Sequence, residues 1–166
     1  MRKKRPLVVA AIVLANFIVI WFLLSNRSNL SSPAPSFTLT DVHGRALFLS
    51  DYHGQIIILS FMKTRCGSCR TEVTQLKQVY NRYYDRVDFL SISIDSAYDT
   101  NEQLLQFMNE TGITWRVARG TNKLKTDYDV ETVPTIFLID KSGYIRFKHA
   151  GEITDEILLI EIAKLL

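Results

Sequence analysis

Cysteine is scarce in this chain, with two in 166 residues, and that excludes a disulfide-dense mini-fold. Seven glycines and four prolines exclude collagen-like and low-complexity classes. Acidic residues are missing altogether from residues 1–30, where five cations stand: Arg2, Lys3, Lys4, Arg5 and Arg27. The whole chain has 20 Lys and Arg against 17 Asp and Glu, a formal charge of +3. Setting those five cations apart leaves 15 against 17 anions for residues 31–166. A body with no cationic excess lacks the footprint of a phosphate-gripping surface, so no nucleic-acid partner is expected. Histidine is also sparse. His43, His53 and His149 are too scattered to complete a four-ligand zinc site with two cysteines, and no metal site is expected. What remains is ordinary: 47% hydrophobic and 22% charged residues, the balance of a globular chain of one domain.

The basic balance belongs to the N-terminus. Four cations precede Leu7–Leu24, a run whose only clearly polar member is Asn16. As a helix it spans about 27 Å, enough to cross a bilayer. It exceeds a signal-peptide core, and Ser25, Asn26 and Arg27 follow it without an A-x-A-like cleavage site. Trp21 sits where interface aromatics sit, and the cation bias places the N-terminus inside and the body outside. We therefore expect residues 1–25 to be a single-pass signal anchor of the cytoplasmic membrane, its transmembrane helix at 7–24, with an extracytoplasmic domain. A cleaved signal peptide is the alternative, and it too exports the body. Residues 26–36, polar and carrying Pro33 and Pro35, read as a tether, leaving residues 37–166 as the folded domain.

Within that domain Phe37–Thr40 and Ala46–Leu49 are short strand-like runs around two Asp-to-Gly turns. Ile56–Phe61 reads as a strand buried on both faces. Val73, Leu76, Tyr80 and Tyr83 make a helical stripe. Val87–Ile94 is the next strand. A helix follows at Asn101–Glu110 with Leu104, Leu105 and Met108 inward, then a strand at Thr114–Ala118 and a short helix at Lys123–Tyr128. Thr135–Ile139 and Tyr144–Lys148 form a hairpin across Asp140–Gly143. Thr154 opens a last helix through Leu166, with Ile157, Leu158, Ile160 and Ile162 suited to docking. This alternation implies an α/β fold with a mostly parallel sheet covered on both faces, its closing hairpin adding an antiparallel edge.

Both cysteines fall in Cys66-Gly67-Ser68-Cys69, between the buried strand and a helix. That spacing lets the sulfurs meet across one turn, so a disulfide can form and break with little backbone motion. At the helix N-terminus the dipole and free N–H groups favour the Cys66 thiolate, the attacking species in disulfide exchange. Cys66 is the expected nucleophile, and Cys69 resolves the mixed disulfide. A static bridge, or two reduced core cysteines, is the alternative; so short a closed loop stabilises little. Lys63 and Arg65 put two cations near Cys66 that would favour its thiolate and are candidate substrate-binding residues, unless they are plain solvated charge. Glu72 shares a helix face with Cys69 at i+3. It could serve the resolving thiol as a base or be an exposed first-turn acid. Pro134, directly before a strand, marks a turn or a cis position.

The segments PAPSFTLTDVHGRALFLSDYHG, IIILSFMKTRCGSCRTEV, VDFLSISID and VPTIFLIDKSGYI together resemble a known family, over roughly residues 33–155. It is the thioredoxin-like family of membrane-tethered extracytoplasmic thiol–disulfide oxidoreductases, the TlpA/ResA type. The resemblance implies a thioredoxin-like central mixed sheet flanked by helices. It implies that Pro134 is the cis-proline of the substrate groove, that Val133 offers its backbone to a substrate cysteine peptide, and that Glu72 helps move protons. No cofactor beyond the Cys66–Cys69 disulfide is implied. The implied function is reduction of disulfides in exported cysteine proteins, apocytochrome c among them, with recharging by a polytopic membrane thiol-reductant carrier. The chain departs from the family pattern in Arg65, where Trp often stands, and in Ser68 and Thr74, where proline is often found nearby. Ser60 occupies the position of the buried acid of ordinary thioredoxins. The rivals are a copper-delivering metallochaperone of the Sco type, since two thiolates could hold Cu(I), a disulfide-forming oxidase, and a peroxiredoxin-like peroxidase. Lys63 stands where the last would have the Thr of Thr-x-x-Cys.

Overall fold

The computed structural model describes residues 32–166. The anchor expected at 1–25, the helix at 7–24 and the first residues of the tether lie outside it. Among the described residues no helix is long and apolar enough to cross a membrane.

The elements run β1 (Ser32–Pro33), β2 (Thr38–Thr40), β3 (Ala46–Phe48), a 3-10 turn (Leu49–Tyr52), β4 (Ile56–Met62), α1 (Gly67–Tyr83), β5 (Val87–Ser93), α2 (Asn101–Thr111), β6 (Arg116–Arg119), α3 (Asn122–Asp127), β7 (Thr135–Ile139), β8 (Tyr144–Ala150) and α4 (Asp155–Ala163). Six strands form one sheet in the order β1-β8-β7-β4-β5-β6, and β2 and β3 form a separate pair. β4–β5 and β5–β6 are parallel, while β7 pairs antiparallel with both β4 and β8. The sheet is therefore mixed rather than mostly parallel. The hairpin is not a simple edge, because β7 enters the centre beside β4.

β4 shows why the sheet sits where it does. All seven of its residues are buried. Alternation sends Ile56, Ile58 and Met62 into a core with Val73, Leu76 and Val79 of α1, Phe107 of α2 and Leu158 of α4. Ile57, Leu59 and Phe61 go to the other face, against Leu124, Tyr128, Phe37 and Leu39. Helices α1, α2 and α4 thus cover one face, and α3 with the β2–β3 pair covers the other.

Several expectations shift. Ser32 and Pro33, read as tether, pair with Ile145 and Tyr144, and Tyr128 donates from its hydroxyl to the Pro35 carbonyl at 2.9 Å. The chain is thus tied down from residue 32, not 37. Phe107, absent from the expected face of α2, is 1% exposed, whereas Leu105 is only half-buried. The last helix ends at Ala163 and buries Leu158 and Ile162, while Ile157 and Ile160 remain 43% and 59% exposed. Its apolar residues are spread around the helix, so no clear stripe marked the docked face. α2 begins at a capping box of Thr100 and Gln103 and ends at Gly112. There φ of +72° suits glycine.

Candidate active site

β4 delivers the chain to one end of the sheet, and the loop Lys63–Arg65 carries it into α1. Cys66 is the residue before the first turn. Its Sγ accepts from the Cys69 N–H at 3.1 Å, so the sulfur itself caps the helix. The Ser68 hydroxyl lies 3.3 Å away. Cys66 and Cys69 are joined as a disulfide with an S–S distance of 2.12 Å and Cα atoms 5.2 Å apart. Cys66 is half-buried and Cys69 fully buried. Of the two cysteines, Cys66 is the one open to solvent.

Glu72 lies one turn deeper and is 1% exposed, not the exposed acid that was the alternative. The Ser60 hydroxyl donates to its Oε1 at 2.6 Å, and its Oε2 has no hydrogen-bond partner among the described residues. Burial pushes the carboxyl up to about 8, against a smaller lowering by the Ser60 hydrogen bond. Ser60 is an even-numbered residue of β4 and so faces α1. The acid that position 60 lacks is supplied from the helix opposite.

The Val133–Pro134 peptide bond is cis. Phe61 pairs with Thr135, so Pro134 and Val133 stand at the sheet end from which the cysteine loop departs. Pro134 is buried, and half-buried Val133 packs on the core that Cys66 also touches. Lys63 is half-buried and Arg65 exposed, with the Arg65 guanidinium over the Tyr98 ring. His43 and His53 are exposed, and His149 shares a hydrogen bond of 3.0 Å with the Glu152 carbonyl. Among the described residues no three or more His, Cys, Asp and Glu side chains group together as a metal site.

The sequence reading missed Ser60 as the partner of Glu72, and it missed Asp99. Asp99 is fully buried. It accepts from the Thr64 N–H at 3.1 Å, the Thr64 hydroxyl at 2.5 Å and the Ser93 hydroxyl at 2.5 Å, fixing the loop two residues before Cys66. Ser60 could have been found as the one polar residue of the IIILSF run. Nothing local distinguishes Asp99.

Residues 30–148 match the model of the AhpC/TSA family. The chain belongs to that family of thioredoxin-like proteins. It is 30% identical over 139 residues to a thiol-disulfide oxidoreductase ResA of Bacillus anthracis, covering 82% of this chain and 78% of that one. It is 27% identical to the thioredoxin-like protein YneN of Bacillus subtilis, over 73% and 71% of the two chains. Among solved structures it superposes on a thioredoxin-family thiol:disulfide interchange protein of Chlorobium tepidum with a TM-score of 0.73, at 24% identity and over 81% and 96% of the chains. It also superposes on StoA of Bacillus subtilis, with a TM-score of 0.66 at 22% identity, over 78% and 97%. The fold is thus thioredoxin-like, and the oxidoreductase carries its redox chemistry on Cys66 and Cys69.

Proposed function

We propose that this oxidoreductase works as a dithiol reductant on the outer side of the cytoplasmic membrane, held there by the run Leu7–Leu24. Its substrates are disulfides in exported cysteine proteins, apocytochrome c among them. The observation that carries the exchange chemistry is the asymmetry of the pair: a half-exposed Cys66 at a helix N-terminus over a buried Cys69. The family resemblance and the charge pattern of residues 1–30 support the direction and the location.

In the reduced protein the Cys66 thiolate attacks one sulfur of the substrate disulfide, and the other sulfur leaves as thiolate and takes a proton. Lys63, Arg65 and the helix N-terminus favour that thiolate. Val133, beside Pro134, lies where an extended substrate segment would pair along the groove. Cys69 then attacks Cys66 Sγ and releases the second substrate thiol. Glu72, one turn away, accepts the Cys69 proton. A carboxyl held near 8 in the oxidised form is the state in which that proton has arrived. Two electrons pass from the dithiol to the substrate; the Cys69 proton stays on Glu72 and the substrate thiolates take their protons from water, so no further cofactor is required. A polytopic membrane thiol carrier would restore the dithiol.

The test is a trap in the host cell. With Cys69→Ser, acid quenching should recover exported cysteine proteins bound to Cys66 through bonds that dithiothreitol cleaves, and the native pair should be alkylatable as dithiol at steady state. Absence of adducts would overturn the exchange mechanism. A pair found mainly oxidised would overturn the reductant reading in favour of disulfide formation.

A further inference from the structure

The mechanism above uses neither Asp99 nor the space beside it. Next to the cysteine loop lies a cleft of about 180 Å³ whose walls include Thr64 and Arg65 of that loop, Tyr98, and Phe107 and Glu110 of α2. Asp99 fastens the first wall through Thr64, by the two bonds given above. The second wall is fastened by the same short turn, because the N–H groups of Tyr98 and Asp99 both donate to the Asp95 carbonyl, at 3.1 and 2.8 Å. Thr64 is thus held by the Asp99 carboxylate and Tyr98 by the backbone turn that carries Asp99, which limits the ordering left to be done when something enters.

The charges within the cleft are divided unequally. Arg70 is bound to Glu110 at 2.8 Å and lies over the Phe107 ring. Glu110 also accepts from Gln106 at 2.7 Å, so the cleft's one anion is already engaged. Arg65 lies over Tyr98 and makes no ion pair among the described residues. A guanidinium over a ring face can still present its planar fork of N–H donors, the shape that fits a carboxylate. Arg65 is also the immediate chain neighbour of Cys66, so an extended peptide exchanging at Cys66 reaches this fork within two or three residues.

We infer that the cleft receives an acidic side chain of the partner polypeptide, two or three residues from its reacting cysteine, with Arg65 as the specificity-determining contact. This rests on the dithiol-exchange reading and adds a substrate class to it. The domain's overall charge cannot produce such a preference. Residues 31–166 carry 15 cations against 17 anions, a balance that mildly repels acidic peptides, so the selection is local.

The experiment uses the reduced full-length chain and three homodimeric disulfides of a single-cysteine peptide that differ only at the positions two and three residues from the cysteine: Asp, Asn or Lys. In each reaction the protein dithiol becomes the Cys66–Cys69 disulfide and the peptide disulfide becomes two thiols. Native protein should react with the Asp peptide about fivefold faster than with the Asn peptide, the upper end for a single exposed pair, and slowest with the Lys peptide. Arg65→Gln should bring the Asp-to-Lys ratio close to one, and Arg65→Glu should invert it. Normalising to the Asn peptide removes any general change in Cys66 reactivity. Normal reaction with the Asn peptide but equal Asp and Lys rates, or a ratio untouched in Arg65→Glu, would overturn the cleft assignment alone. Failure of native protein to react with the Asn peptide and with hydroxyethyl disulfide would overturn the exchange reading along with it.

Discussion

Glu72 ties the stability of the oxidised protein to pH, and Glu72→Gln isolates the effect. In the folded chain the carboxyl is raised by burial to about 8 from an ordinary 4.5. The folded state therefore holds the proton over a range in which the unfolded state has lost it. The resulting stabilisation is fully present below pH 4.5 and is lost as pH rises towards 8 and beyond. At 1.36 kcal/mol per unit the whole effect is about 5 kcal/mol, and about 3 of that is gone by pH 7. With a urea slope of about 2 kcal/mol per molar, the unfolding midpoint should fall by about 2 M between pH 4.5 and pH 9. The disulfide stays intact in the absence of added thiol, so the comparison is between protonation states only. Asp88, also raised by burial, contributes a slope of the same sign. It is present in both proteins and cancels in the difference. In Glu72→Gln the steep part of the fall should disappear, making the variant more stable than native protein at pH 9. Equal pH profiles for the two proteins would refute the buried, protonated Glu72.

Removing the Ser60 hydroxyl takes away the one hydrogen bond that favours the Glu72 carboxylate. In Ser60→Ala the protonated carboxyl band, followed by infrared titration, should persist to a higher pH than in native protein. Asp99→Ala strands three donors in a buried position and should destabilise the domain by about 3 kcal/mol in urea unfolding. It should also increase the proteolytic sensitivity of the 63–65 loop, whereas an unchanged loop would mean that Asp99 does not hold it. Cys69→Ser, reduced and mixed with a small disulfide, should accumulate one mixed disulfide at Cys66 by mass spectrometry, and Cys66→Ser should accumulate far less because Cys69 is buried. Equal adducts in the two variants would remove the division of labour between the cysteines.

Some of this was legible in the sequence and some was not, for physical reasons. The IIILSF run suited a strand covered on both faces, and the CxxC that follows it announced both the helix start and the chemistry. The position of β7 was not legible. Which strand an apolar run pairs with depends on the assembled sheet, and alternation of strands and helices suggested more parallel pairing than exists. Ser32–Pro33 is too short to carry a periodicity, so its pairing with β8 left no local mark. In α4, Ile157 and Ile160 looked as fit for burial as Leu158 and Ile162, because apolar residues lie all around the helix despite Asp155, Glu156 and Glu161. Glu72 stands out by the family resemblance and its spacing from Cys69, but its burial and its bond to Ser60, twelve positions earlier, follow from packing that the local sequence does not show.

The central claim is that Cys66 and Cys69 form an exchanging pair poised to reduce. Equilibrating the purified chain across a dithiothreitol or glutathione series, with the dithiol fraction read by alkylation, measures it directly. The account predicts a reduction potential near that of thioredoxin, about −270 mV, and a value near about −120 mV, that of a strong oxidant, would contradict it.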